Sequence, residues 1–140
     1  MQDLFDAALA AFENAHAPYS NFRVGAAVRT PSGRIFCGAN VENASYPEGN
    51  CAEASAIAAM VAAGERQIAE ALVVAAGERL CTPCGGCRQR LAEFAGPDLQ
   101  IHLCDPQGLR RTVTLGDLLP LSFALDEPPE GGPRVNPEDG

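Results

Sequence analysis

Cys51, Glu53, Cys84 and Cys87 are the residues of this 140-residue chain best placed to do chemistry together. The stretch NCAEAS at 50–55 puts a cysteine, a small residue and a glutamate at the head of an alanine-rich run ending at Gly64. PCGGC at 83–87 puts two more cysteines three residues apart. Both stretches lead into expected helices, over 51–63 and 84–94, so thiols stand at two helix N-termini. Unpaired N–H groups give each such end roughly half a positive charge, which favours thiolate over thiol. Cys84 and Cys87 share a helix face, and Pro83 suits a helix start. Thiolates bind zinc, and Cys51, Cys84 and Cys87 as ligands would leave the fourth tetrahedral position for water, the arrangement of a catalytic site. Zinc can bring the pKa of such a water to roughly 7. Glu53, two residues beyond its cysteine, would stand beside it as proton carrier. Blander alternatives remain open on the same residues. Cys81 would complete a closed, structural site with Cys51, Cys84 and Cys87; Cys84 and Cys87 alone would make a redox dithiol; Glu53 alone would be an acid favouring its helix dipole.

The elements around these residues suit one domain with a real core, since 46% of the chain is hydrophobic. All ten cations are arginine, and the formal charge is −8. That balance argues against a protein that tracks nucleic-acid phosphates with a basic face. The N-terminus, MQDLFD, carries acids where a secretion signal needs cations, and the longest apolar run, Ala56–Ala63, is too short to span a membrane. A cytoplasmic location is therefore expected, in which six cysteines serve as ligands, catalytic groups or core residues rather than disulfides. Residues 1–125 form the expected domain. Residues 126–140, with four Pro, three Gly and five acids, form an acidic tail expected to be disordered.

Phe5, Ala8, Leu9 and Phe12 recur at helical spacing and predict a first helix over 2–16. Strands over 22–29 and 34–39 flank a turn at Pro31-Ser32-Gly33. The apolar run 71–76 reads as a strand buried on both faces, and Leu99, Ile101 and Leu103 alternate as another. DPQG at 105–108 turns the chain into a last strand near 110–114. Strand, helix, strand over 71–103 makes a parallel crossover, whereas the short turn at 105–108 permits only an antiparallel pair. The expected fold is a three-layer α/β/α sandwich with a mixed five-stranded sheet whose last two strands are antiparallel. Cys37 and Cys104 are expected in the core. His102 is expected to face a more polar layer.

CAE at 51–53 with PCGGCRQ at 83–89 resembles the nucleoside cytidine deaminases, within the zinc deaminases. YSNFRVGAAV at 19–28, NVENASYP at 40–47 and LLPLSF at 118–123 are also similar to segments of that family. The resemblance implies hydrolytic deamination of cytidine, and of deoxycytidine, in pyrimidine salvage, with zinc as the sole cofactor. Glu53 would take a proton from water and deliver protons to N3 and to the departing ammonia. By the same likeness Phe22 stacks on the pyrimidine, and Asn40 and Glu42 bond the ribose hydroxyls. The Ala52 N–H holds the base carbonyl and the Thr82 carbonyl receives the amine. A homotetramer is implied, in which Tyr46 and Phe123 reach a neighbouring subunit's site. The superfamily's editing deaminases place a helix between the last two strands and make them parallel, so the short turn here favours a free nucleoside over a polynucleotide. One departure stands out: many three-cysteine relatives have Arg after CAE, where this chain has Ala54. Three thiolates and one zinc sum to −1, and Arg88, next to Cys87, is expected to supply the missing compensation together with the two helix ends.

Overall fold

The period-two alternation of the central strands sorts the core onto two faces. Ala26, Val28, Ala71, Ile101 and Leu103 face one way, and Ala27, Leu72, Val74 and Cys104 the other. The computed structural model describes residues 1–125; the tail expected at 126–140 lies outside the described residues. The chain runs α1 (Gln2–Glu13), β1 (Val24–Arg29), β2 (Ile35–Ala39), a 3-10 turn (Tyr46–Glu48), α2 (Ala52–Ala62), β3 (Glu70–Ala75), α3 (Gly85–Phe94), β4 (Gln100–Asp105), β5 (Gly108–Thr114) and α4 (Leu115–Leu118).

The five strands lie in the order β2-β1-β3-β4-β5, with β3 and β4 parallel and every other pair antiparallel. Leu4 and Ala8 of α1 pack on one face. Ala56, Ile57 and Met60 of α2 and Leu91 of α3 pack on the other. This is the expected three-layer sandwich. The β4–β5 turn is held by Asp105, whose Oδ1 accepts the N–H groups of Gln107 (2.9 Å) and Gly108 (3.1 Å).

Two glycines let the helices sit close on the sheet. A Cβ on Gly25 would fall 2.1 Å from the Ala8 carbonyl oxygen of α1, and one on Gly38 would fall 2.4 Å from the Ala56 nitrogen and 2.8 Å from the Ala52 oxygen of α2. Backbone cannot yield as a side-chain tip does. Gly38→Ala is therefore expected to destabilise the fold by about 3 kcal/mol through overpacking. It should also lift the helix that carries Glu53. Denaturant unfolding checks this, and an unchanged midpoint would contradict it.

Strand β1 starts at Val24 and β5 at Gly108, and other expectations change as well. α1 ends at Glu13 rather than residue 16, because the next residues bond elsewhere: the His16 N–H donates to the Asn40 carbonyl (3.0 Å) and the Glu42 N–H to the His16 carbonyl (2.8 Å). Cys37 is exposed, since it lies on edge strand β2, whereas Cys104 is buried as expected. His102 faces polar partners, as expected, but is itself buried. Its Nδ1 pairs with Thr112 Oγ1 and its Nε2 with Glu70 Oε2, both at 2.9 Å.

Glu70 continues this chain of contacts to Arg29 Nε (2.7 Å), and Arg29 Nη2 reaches Asp3 Oδ1 (2.7 Å), so β5, β4, β3, β1 and α1 are tied by side chains. Burial alone would raise the Glu70 carboxyl, but the bonds from Arg29 and His102 hold it below the ordinary carboxylate range. A carboxyl depressed in the folded state stabilises above its unfolded pKa, and that contribution is lost as pH falls through the folded value. The melting temperature should fall as the pH drops below the ordinary glutamate value of 4.5. Glu70→Gln should be less stable than wild type at pH 7 and show a shallower decline. Parallel curves for the two proteins would remove Glu70 from the account.

Candidate metal centre and active site

Cys51 and Cys84 are not the first helical residues, as the sequence suggests, but the caps just ahead of α2 and α3. Their backbones are extended, with ψ 155° and 169°. A cap residue has non-helical torsions and aims its side chain back over the first-turn N–H groups. Cys87 is then the third residue of α3, beside its cap, and Glu53 the second residue of α2. The two helix starts meet at the sheet end where β3 feeds the loop to Cys84. The Cys51, Cys84 and Cys87 sulfurs all lie within 4.8 Å of one another. Cys81 stands outside this group, so the four-cysteine arrangement does not form.

Burial is graded across the site. Cys87 is fully buried, Glu53 is 7% exposed, and Cys84 faces solvent. The Cys84 thiol is held below the ordinary thiol range, chiefly by the backbone amide of Cys87. Cys87 is pushed well up by burial and then by the neighbouring charges of Glu53, Cys51 and Cys84; Cys51 is pushed up mainly by burial. Burial likewise raises the Glu53 carboxyl, against the charge of Arg90. Three converging sulfurs beside a buried carboxyl, with Cys51, Cys87 and Glu53 all pushed up, are a donor set that a divalent cation would neutralise. Tetrahedral zinc with bonds of about 2.3 Å needs sulfurs about 3.8 Å apart, within the spread seen here.

Two arginines fix the loop that delivers Cys84. Arg88 donates from Nε to the Pro83 carbonyl (2.8 Å), from Nη1 to the Leu118 carbonyl (2.8 Å) and from Nη2 to Thr82 Oγ1 (3.2 Å). Arg110 of β5 donates to the carbonyls of Gly77 (3.1 Å) and Glu78 (2.7 Å) upstream. The guanidinium that bonds a cluster sulfur is that of Arg90, whose Nη1 lies 3.6 Å from Cys87 Sγ.

Residues 1–103 match the family described as the cytidine and deoxycytidylate deaminase zinc-binding region. The chain belongs to this family. A cytidine deaminase of Halalkalibacterium halodurans is 40% identical over 126 residues, covering 90% of this chain and 96% of that protein. The crystal structure of a cytidine deaminase from Burkholderia pseudomallei is 48% identical with a TM-score of 0.82, covering 87% of this chain and 98% of that one. That of a cytidine deaminase from Mycobacterium tuberculosis is 40% identical with a TM-score of 0.74, covering 89% and 97%. Membership of a zinc-binding family and the three-thiol cluster agree on zinc as the metal.

The other positions singled out in this family member lie at the helix start, at the entry to β1 and near the end of the described chain. Ala52, buried, opens α2, and its N–H is among the donors a helix start leaves free. Thr82 precedes Pro83 in the clamped loop. Asn40, Glu42 and Phe22 interlock around the entry to β1. Asn40 Oδ1 accepts the Val24 N–H (2.9 Å) and Nδ2 donates to the Phe22 carbonyl (2.8 Å), while the Phe22 ring stays 44% exposed. Glu42 accepts the N–H groups of Tyr19 and Ser20 (3.0 Å each) and the Ser20 hydroxyl, which hold its carboxyl below the usual range. Beside it opens a hollow lined by Tyr19, Ser20, Glu42, Asn43, Tyr46 and Gly49. Tyr46 meets Tyr19 edge-on, with ring centroids 6.0 Å apart, and is otherwise exposed. Phe123 is also exposed, and its carbonyl accepts from Gln89 Nε2 (3.0 Å).

Arg90, Arg110 and Ser20 make contacts that the sequence alone does not single out. Arg90 carries a local signal, since i and i+3 neighbours share a helix face. Arg110 and Ser20 act across more than twenty residues of sequence, and no local pattern marks them.

Proposed function

We propose that this protein catalyses the zinc-dependent hydrolysis of cytidine to uridine and ammonia. The observation that carries this is the convergence of three cysteine sulfurs from two helix starts, with a buried glutamate in the first turn of α2. The names of the similar proteins agree with it. Cys51, Cys84 and Cys87 hold the metal. When bound, zinc supplies a Lewis acid that makes water acidic near neutral pH.

Glu53 accepts a proton at a carboxylate oxygen and passes protons to N3 and to the departing amine, so one water enters and one ammonia leaves. A carboxyl raised by burial is suited to both halves of that transfer. The Ala52 N–H orients the base through its carbonyl, and the Thr82 carbonyl accepts from the amine. Phe22 stacks on the ring. Asn40 and Glu42 take the ribose hydroxyls; Glu42 keeps accepting capacity beyond its three donors, because an ionised carboxylate has about four lone-pair positions. Tyr46, 76% exposed, and Phe123, 71% exposed, are large aromatics suited to cover a neighbouring copy's site, in keeping with a homotetramer.

Deoxycytidine is a second substrate, which places the enzyme in pyrimidine salvage. Arg88 serves the site by holding the Thr82-Pro83 segment. Among the described residues no helix is long and apolar enough to cross a membrane, and a cytoplasmic setting suits an enzyme whose centre depends on free thiols.

The test is ultraviolet absorbance of cytidine, deoxycytidine and deoxycytidylate with the zinc-loaded protein, with ammonia measured in parallel. Turnover of both nucleosides, far exceeding that of the nucleotide, is expected. No turnover by protein that holds zinc would overturn the assignment.

A further inference from the structure

We propose that Arg90 is the cation that balances the three-thiolate centre, a positioning residue that acts on the metal through the Cys87 sulfur. The inference rests on the zinc assignment above. Metal binding at neutral pH exchanges a charge of +2 for three thiol protons, a net change of −1 at a buried site. A fixed positive charge in contact with one sulfur favours that exchange.

α2 offers no such charge, since its sequence AEASAIAAMVA contains no basic residue and position 54 is alanine. Arg88 commits Nε, Nη1 and Nη2 to Pro83, Leu118 and Thr82. Arg90 lies one helical turn beyond Cys87, and its Nη1 is 3.6 Å from the fully buried Cys87 sulfur. Its guanidinium is folded back along α3: a Cβ on Gly86 would stand 3.1 Å from Nη1 and 3.9 Å from Cζ. Gly86 thus leaves the space in which Arg90 reaches the centre. The compensation expected of Arg88 passes to Arg90.

A residue of this kind alters metal affinity without touching the metal. In competition with a chromophoric chelator at pH 7, Arg90→Gln should hold zinc about 10–100-fold more weakly than wild type. Arg90→Lys, which keeps the charge, should regain part of the loss. In the cobalt-substituted protein the sulfur-to-metal charge-transfer band should move to lower energy in Arg90→Gln, because the sulfur lone pairs lose a bonded N–H. A purely structural role would leave that band in place. Should Arg90→Gln fail to fold, Arg90→Met, which keeps the apolar stem and removes the charge, should weaken zinc to a similar extent. Zinc affinity within twofold of wild type in the folded variants, with an unmoved band, would overturn the inference while leaving the zinc site intact. A wild-type protein that takes up no zinc would overturn both.

Discussion

Glu53→Gln should lose at least a hundredfold, and up to about ten thousandfold, in kcat toward cytidine while keeping about one zinc per chain. The substitution is isosteric and removes only the capacity to carry a proton. Glu53 is 7% exposed at the second position of α2, and burial already opposes its charge. A neutral amide there relieves desolvation rather than adding to it, so the variant should fold at least as well as wild type. Loss of turnover with fold and metal retained would separate proton transfer from structure. A kcat within tenfold of wild type would mean that another group carries the proton.

Cys87→Ala should lose both zinc and turnover. Its sulfur is the fully buried member of the cluster and the one that resists ionising most. Without it only Cys51 and Cys84 remain, and Cys81 stands outside the group. Alanine is well tolerated in a helix, so α3 itself should persist. Binding that occurs only in the folded state stabilises it: free zinc at a thousandfold its dissociation constant adds about 4 kcal/mol. Wild type should therefore melt at a higher temperature with zinc than with chelator, and Cys87→Ala should melt alike in both. A zinc-dependent shift that survived in the variant would show that the metal lies elsewhere.

Much of this was legible in sequence because strong local signals coincided. The continuous apolar run near 71–76 reads as a central strand, the DPQG turn allows only an antiparallel partner for β4, and the two cysteine-bearing stretches mark the helix starts. Boundaries slipped where tertiary bonds took over from local preference. His16 left α1 for hydrogen bonds with Asn40 and Glu42. Cys51 and Cys84 became caps because the backbone just ahead of a helix is extended. The short α4, with its Thr114–Asp117 capping box, went unseen because four residues carry no periodicity. The polar chain from Thr112 through His102, Glu70 and Arg29 to Asp3 links five elements far apart in sequence, and no single segment holds its pattern. Arg88 adjoins Cys87 in sequence, whereas the helix brings Arg90, three residues on, against the Cys87 sulfur.

X-ray absorption at the zinc edge of the purified protein tests the central claim most directly. Three sulfurs at about 2.3 Å and one lighter atom at about 2.0 Å are expected. Four sulfurs would mean that Cys81 closes the coordination sphere, and no water could then be activated beside Glu53.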